Sequence, residues 1–127
     1  MAHVFGYTGV MDITVRGEED RSTRKSFDTF TPVGPVLVTA DEIPDPHGLR
    51  LRLWVNGEPR QGGTTRDMIW NVPRLIEYAS HVMTLNPGDL VSTGTPDGVG
   101  PLRAGDEVAI EVEGVGRMSV RVELRKP

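Results

Sequence analysis

The stretch Leu49-Arg50-Leu51-Arg52-Leu53-Trp54-Val55-Asn56-Gly57 constrains this chain's fold more than any other. Apolar and polar residues alternate with a period of two. An extended strand over 49–55 therefore puts Leu49, Leu51, Leu53 and Val55 on one face and Arg50, Arg52 and Trp54 on the other. Asn56-Gly57 suits the positive-φ positions of a tight hairpin turn. A returning partner strand is expected over 58–65, weakened by Gly62-Gly63. A strand with one apolar face needs neighbours in a sheet and a second layer beneath it.

The rest of the chain supplies such neighbours. Val108, Ile110 and Val112 alternate with Glu107, Glu111 and Glu113, and Met118, Val120, Val122 and Leu124 alternate with Arg117, Arg121 and Glu123. Gly114-Val115-Gly116 joins them as a hairpin. Opposed Glu and Arg on the outer face are expected to pair across the strands for about 0.2–1 kcal/mol each. Residues 36–40 read as a short buried strand, after an irregular turn over Thr31-Pro32-Val33-Gly34-Pro35 and before a loop over 41–48. Residues 90–92 read as a strand running into the Gly-rich loop 93–100. One helix is expected: Asn71 is its N-cap, Pro73 fits its first turn, and Val72, Leu75, Ile76, Ala79, Val82 and Met83 form its apolar stripe. His81 falls off that stripe, on the surface, and Leu85-Asn86-Pro87-Gly88-Asp89 stops the helix. Fifteen Gly and ten Pro agree with a turn-rich architecture. The fold class is mainly β with one packed helix (α+β), in a single domain over 1–127 without internal repeats.

Composition removes several functions. No cysteine means no disulfide frame and no thiolate chemistry. A net charge of −4 with intermixed signs leaves no nucleic-acid footprint. Trp54 among arginines is therefore read as an outer sheet face covered by another segment or subunit. Met1-Ala2-His3-Val4-Phe5 lacks a signal peptide's apolar core, and no apolar run is long enough to cross a membrane, so a soluble cytoplasmic domain is expected.

Two stretches carry chemistry. In Tyr7-Thr8-Gly9-Val10-Met11-Asp12-Ile13-Thr14-Val15-Arg16, an extended strand puts Val10, Asp12 and Thr14 on one face and Met11, Ile13 and Val15 on the other. An acid beside Thr14 could serve a metal or a charged substrate. A solvent-facing acid is the commoner arrangement, and local pattern leaves both open. A dense polar loop over 16–25 follows. The second stretch, Thr93-Gly94-Thr95-Pro96-Asp97-Gly98-Val99-Gly100, is a candidate to offer backbone N–H groups to a carboxylate or oxyanion, although such a loop taken alone is structural as often as functional. It has no G-K-[ST] ending, so it is not a nucleotide loop.

Several stretches in order resemble the C-terminal catalytic domain of the fumarylacetoacetate hydrolase family. They are Asp12-Ile13-Thr14-Val15-Arg16 (the family's D-x-[ST]-x-R), Lys25-Ser26-Phe27-Asp28-Thr29-Phe30, Gly34-Pro35, Thr39-Ala40-Asp41-Glu42-Ile43-Pro44-Asp45-Pro46, Leu51-Arg52-Leu53-Trp54-Val55-Asn56-Gly57, Asp67-Met68-Ile69 and the 93–100 loop. The resemblance implies a mixed β-sandwich roll, usually dimeric, and an association with aromatic catabolism. It implies hydrolysis, decarboxylation or keto–enol isomerisation of a 2-oxo or 1,3-dicarbonyl acid through a metal-stabilised enolate. Mg²⁺, or Mn²⁺ or Ca²⁺, would be the cofactor. By position, the resemblance makes Asp12 a metal ligand and Lys25 the active-site lysine. Thr95, with Gly94, becomes the contact to the substrate carboxylate, and Arg16 takes a supporting role behind the ligands.

The chain departs from the family in one respect that matters. Two further metal ligands of the family come from an E-x-E pair upstream of Gly-Tyr-Thr, and here Met1 to Phe5 contain no acid. The family's lid His/Glu pair also lies upstream, and His3 does not fit it. Met11 stands where Asn is common, and the loop over 17–24 looks shortened. The domain therefore reads as truncated, and three arrangements follow. A partner chain could carry the E-x-E ligands. The chain could be an inactive member serving as a folded binding or scaffold module. A homo-oligomer could rebuild the site from Glu18, Glu19 or Asp20 moved towards Asp12.

Overall fold

The structure, a computed structural model, describes residues 2–124; Met1 and residues 125–127 of the expected domain lie outside them. Six strands and one α-helix form in the order β1 (Gly6–Val10), β2 (Val33–Thr39), β3 (Arg50–Val55), β4 (Glu58–Thr64), α1 (Val72–Val82), β5 (Glu107–Val112) and β6 (Gly116–Arg121), with 3-10 turns at Thr23–Lys25 and Thr65–Asp67. The expected mainly β fold with one helix is what forms. β4-β3-β5-β6 make an antiparallel sheet, and β1-β2 make a second, two-stranded one.

The β3–β4 hairpin turns as its sequence requires, with φ of 53° at Asn56 and 81° at Gly57. Asn56 also fastens the hairpin to β5: its Nδ2 donates to Asp106 Oδ1 at 2.8 Å and its Oδ1 accepts from the Glu107 N–H at 2.9 Å. Register puts Leu51, Leu53 and Val55 opposite Val112, Ile110 and Val108, and these opposite Gly116, Met118 and Val120. The apolar face predicted for each strand is therefore one continuous surface. Its centre is Val108, Val55 and Met11, with Ile13, Leu53, Leu102, Ile110 and Met118 packed around.

On the outer face, register sets Glu111 opposite Arg117 and Glu107 opposite Arg121. The expected ion pairs do not form among the described residues. The Arg117 guanidinium lies 4.7 Å from the Trp54 ring centroid instead, so the neighbouring part of the same sheet covers part of Trp54. The ion pair that does cross strands is Arg50–Glu113, at 3.2 Å.

Three further expectations are corrected. β2 begins at Val33, inside the expected turn, and it is not buried: Val36 and Leu37, on opposite faces of the strand, are both half exposed. Residues 90–92 form no strand, since no neighbour accepts their backbone groups. Helix α1 is capped as predicted, Asn71 Oδ1 accepting from the Arg74 N–H, but within the helix only Val72 is buried, and Val82 and Met83 stay largely exposed. His81 is on the surface as expected.

The stripe of α1 and the inner face of the four-stranded sheet border a shared concavity instead of meeting. The accessible surface, 9335 Å² for 13.9 kDa, shows the consequence. A compact monomer of this mass exposes about 6,700 Å².

Candidate functional site

Asp12 lies just beyond β1, where the ladder continues without regular strand. The N–H groups of Met11 and Ile13 donate to Pro32 and Phe30 carbonyls at 3.0 and 3.1 Å, and that of Val15 to Arg24 at 3.0 Å. The expected strand thus ends at Val10, but its alternation persists. Met11 is buried, whereas Asp12 and Thr14 both reach Lys25 from one side. Lys25 Nζ is 2.5 Å from Asp12 Oδ2 and donates to Thr14 Oγ1 at 3.0 Å. The Thr14 hydroxyl in turn donates to the Asp12 carbonyl at 3.3 Å.

The polar loop before Lys25 works as scaffolding. Asp20 Oδ1 accepts from the Ser22 and Thr23 N–H groups and Oδ2 from the Thr23 hydroxyl, which holds the Asp20 carboxyl below the usual carboxylate range. That fixes the 3-10 turn bearing Lys25. Arg24 Nη1 donates to the Gly17 carbonyl at 3.2 Å and ties the loop. Glu18, Glu19 and Asp20 do not border the concavity within this chain. Arg16 borders it and makes no hydrogen bond or ion pair among the described residues.

The concavity joins the remaining candidates. Asp12, Thr14, Arg16 and Lys25 border it, as do Gly94 and Thr95, with no direct hydrogen bond between the two groups among the described residues. Its volume is about 2050 Å³, against roughly 300–1,000 Å³ for a small-molecule pocket. Much of its wall is apolar, including Leu53, Ile110, Leu75 and Ile76. It is an uncovered flank of the core with polar groups on part of its wall. Tyr7 also borders it, and burial pushes its phenol pKa up.

A hard divalent cation takes several oxygen ligands. Here one carboxylate faces the concavity from this corner, already held by an ammonium, and no group of three or more His, Asp or Glu that could hold a metal exists among the described residues. These residues do not by themselves make a metal shell. Asp12 brings a single carboxylate to this corner.

Three residues escaped the sequence pattern. Thr29 has φ of +69°, rare for a β-branched residue, and borders the concavity near Lys25's turn. Its segment is one of the stretches that resemble the family, but nothing in the pattern marks Thr29 itself. His47 Nε2 accepts from the Val72 N–H at 3.1 Å and so supplements the cap of α1. Gln61 Nε2 donates to the Pro96 carbonyl at 2.7 Å. The latter two contacts span 25 and 35 residues, beyond any local signal.

The chain matches the fumarylacetoacetate (FAA) hydrolase C-terminal family over residues 1–123. It belongs to that family. It is 48% identical over 122 residues to the maleylpyruvate hydrolase of Aquipseudomonas alcaligenes, covering 96% of this chain and 42% of that protein. It is 50% identical over 127 residues to the 4-hydroxyphenylacetate degradation bifunctional isomerase/decarboxylase of Escherichia coli, covering 96% of this chain and 30% of that one. The crystal structure of maleylpyruvate hydrolase from Sphingobium sp. SYK-6 in complex with manganese(II) ion and pyruvate superposes with a TM-score of 0.89 at 50% identity, over 94% of this chain and 44% of that one. The chain spans less than half the length of each of these relatives, which are named as hydrolases or as an isomerase/decarboxylase.

Proposed function

We propose that this chain carries part of the active site of a divalent-metal-dependent enzyme that hydrolyses, decarboxylates or isomerises a 2-oxo or 1,3-dicarbonyl acid. Further carboxylates of the metal shell come from polypeptide outside these residues, on a partner chain carrying an E-x-E pair. The contact of Lys25 with both Asp12 and Thr14, on the wall of a concavity shared with Thr95, carries this reading.

Asp12 serves as a metal ligand, for Mg²⁺ or Mn²⁺. A bound cation supplies Lewis acidity towards the substrate's oxo group. Lys25 places positive charge where negative charge develops, and Thr14 accepts from its ammonium to hold it there. The Thr95 hydroxyl and backbone donors of the Gly94 loop take the substrate carboxylate. Arg16, on the same wall and without a partner of its own among the described residues, is assigned a supporting role behind the ligands.

A second reading is a folded binding module without catalysis. The single carboxylate beside Lys25, already paired with it and joined by no cluster of further ligands among the described residues, favours it. Calorimetric titration of Mn²⁺, with oxaloacetate present and an E-x-E-bearing partner supplied, separates the two. The enzyme reading expects stoichiometric binding that weakens more than about tenfold in Asp12→Ala, because a direct ligand is lost. Binding indifferent to Asp12→Ala, or none above dilution heat, establishes the module.

A further inference from the structure

Residues 90–102 carry no helix or strand. Among the described residues, the one hydrogen bond that reaches them comes from Gln61 to the Pro96 carbonyl. Its origin is a bulge in β4. Leu53 pairs with Gln61 and Trp54 with Pro59, so Arg60 is an extra residue in the ladder. A bulge interrupts the alternation of faces and re-aims side chains. Arg60 and Gln61, adjacent in sequence, accordingly both border the concavity.

Strand β4 meets the loop at three more points, two of them at the bulge. Gly98 (φ +98°) passes so near that an added Cβ would lie 1.9 Å from the Arg60 carbonyl oxygen. At Gly100 an added Cβ would lie 3.3 Å from Arg60 Nη1, and at Gly63, farther along β4, 3.4 Å from Pro96 Cβ.

We infer that Gln61 is the positioning residue of the 93–100 loop, setting Gly94 and Thr95 in place for a carboxylate from the bulge of β4. The inference rests on the proposed role of that loop in binding the substrate carboxylate. Gln61 acts through Pro96 and touches no substrate. Its bond fixes the middle of a segment that has no ladder of its own, with Gly98 seated on the bulge two residues further on.

Gln61→Met keeps the length of the side chain and removes the donor. Gly98→Ala leaves Gln61 intact and forces the loop off Arg60. Nitrogen-15 relaxation on the full protein reads the loop without any ligand. Backbone order parameters at Gly94, Thr95 and Gly98 should fall from the rigid range near ~0.85 to below ~0.6 in both variants, while β3 and β5 are unchanged. With the E-x-E-bearing partner supplied, pyruvate titrated at saturating Mn²⁺ should bind roughly three- to tenfold more weakly to Gln61→Met, with Mn²⁺ affinity unchanged. A loop as ordered in Gln61→Met as in the wild type overturns the inference, as does an equal loss of Mn²⁺ and pyruvate affinity. If the wild type binds no pyruvate, the proposed function fails, and the order parameters alone decide the role of Gln61.

Discussion

The β3–β4 and β5–β6 hairpins and residues 90–102 sit side by side and are held in opposite ways. The hairpins combine a continuous ladder, an apolar face centred on Val108, and fastenings from Asn56, Arg50–Glu113 and Arg117–Trp54. Residues 90–102 have Leu90, Val91 and Val99 in solvent and one hydrogen bond from β4. One region makes its own stability, and the other borrows position from it. The candidate carboxylate-binding residues lie on the borrowed region, as expected where function needs a loop set by a rigid support.

The sharpest way to break this contrast is to place the same charge in both regions. Val108→Asp buries an unpaired carboxylate in the core and should cost several kcal/mol, about 3–5, abolishing the folded circular dichroism signal. Leu90→Asp, at a site 61% exposed, should move the urea midpoint by less than the equivalent of ~0.5 kcal/mol. Equal effects would mean that 90–102 is packed as tightly as the sheet.

A smaller change probes the fastening of the hairpin. Asn56→Ala removes bonds to Asp106 and Glu107 and puts a Cβ residue without side-chain hydrogen bonds at φ 53°. Urea unfolding should show a loss of about 1–2 kcal/mol. The gentlest probe is pH. The Arg50 N–H, and then its guanidinium, hold the Glu113 carboxyl below its usual range. A depressed folded pKa contributes stability above the unfolded value and loses it as pH falls through the folded one. Stability should therefore decline below the ordinary glutamate range, and Glu113→Gln should flatten that decline in acid denaturation.

The parts legible in sequence are those set by local rules. Alternation and Asn56-Gly57 disclose β3 and its turn, Gly114-Val115-Gly116 the last hairpin, and Asn71 with the 3.6-residue stripe the helix. The failures share one cause. Residues 36–40 and 90–92 are apolar, and apolar runs suggest burial, but their covering layer is absent from the described residues. Register likewise set Glu111 against Arg117, yet the guanidinium found a better surface on Trp54. In the site, the alternation of Asp12 and Thr14 was readable. The family resemblance named Lys25 as the active-site lysine, while its reach to both side chains, 13 and 11 residues away, emerges only in the fold. Gln61, His47 and Thr29 depend on tertiary approach or backbone strain, which no spacing encodes.

The excess of accessible surface has a thermal consequence. Exposing apolar area on unfolding raises heat capacity, by about 12–15 cal/mol/K per residue for well-covered domains. Here much of the apolar lining between α1 and the sheet meets water already in the folded state. Unfolding releases correspondingly less, so the stability curve is shallow, with little curvature between its cold and hot limits. Covering that flank with further polypeptide would steepen the curve, and the heat capacity of unfolding would record how much had been closed.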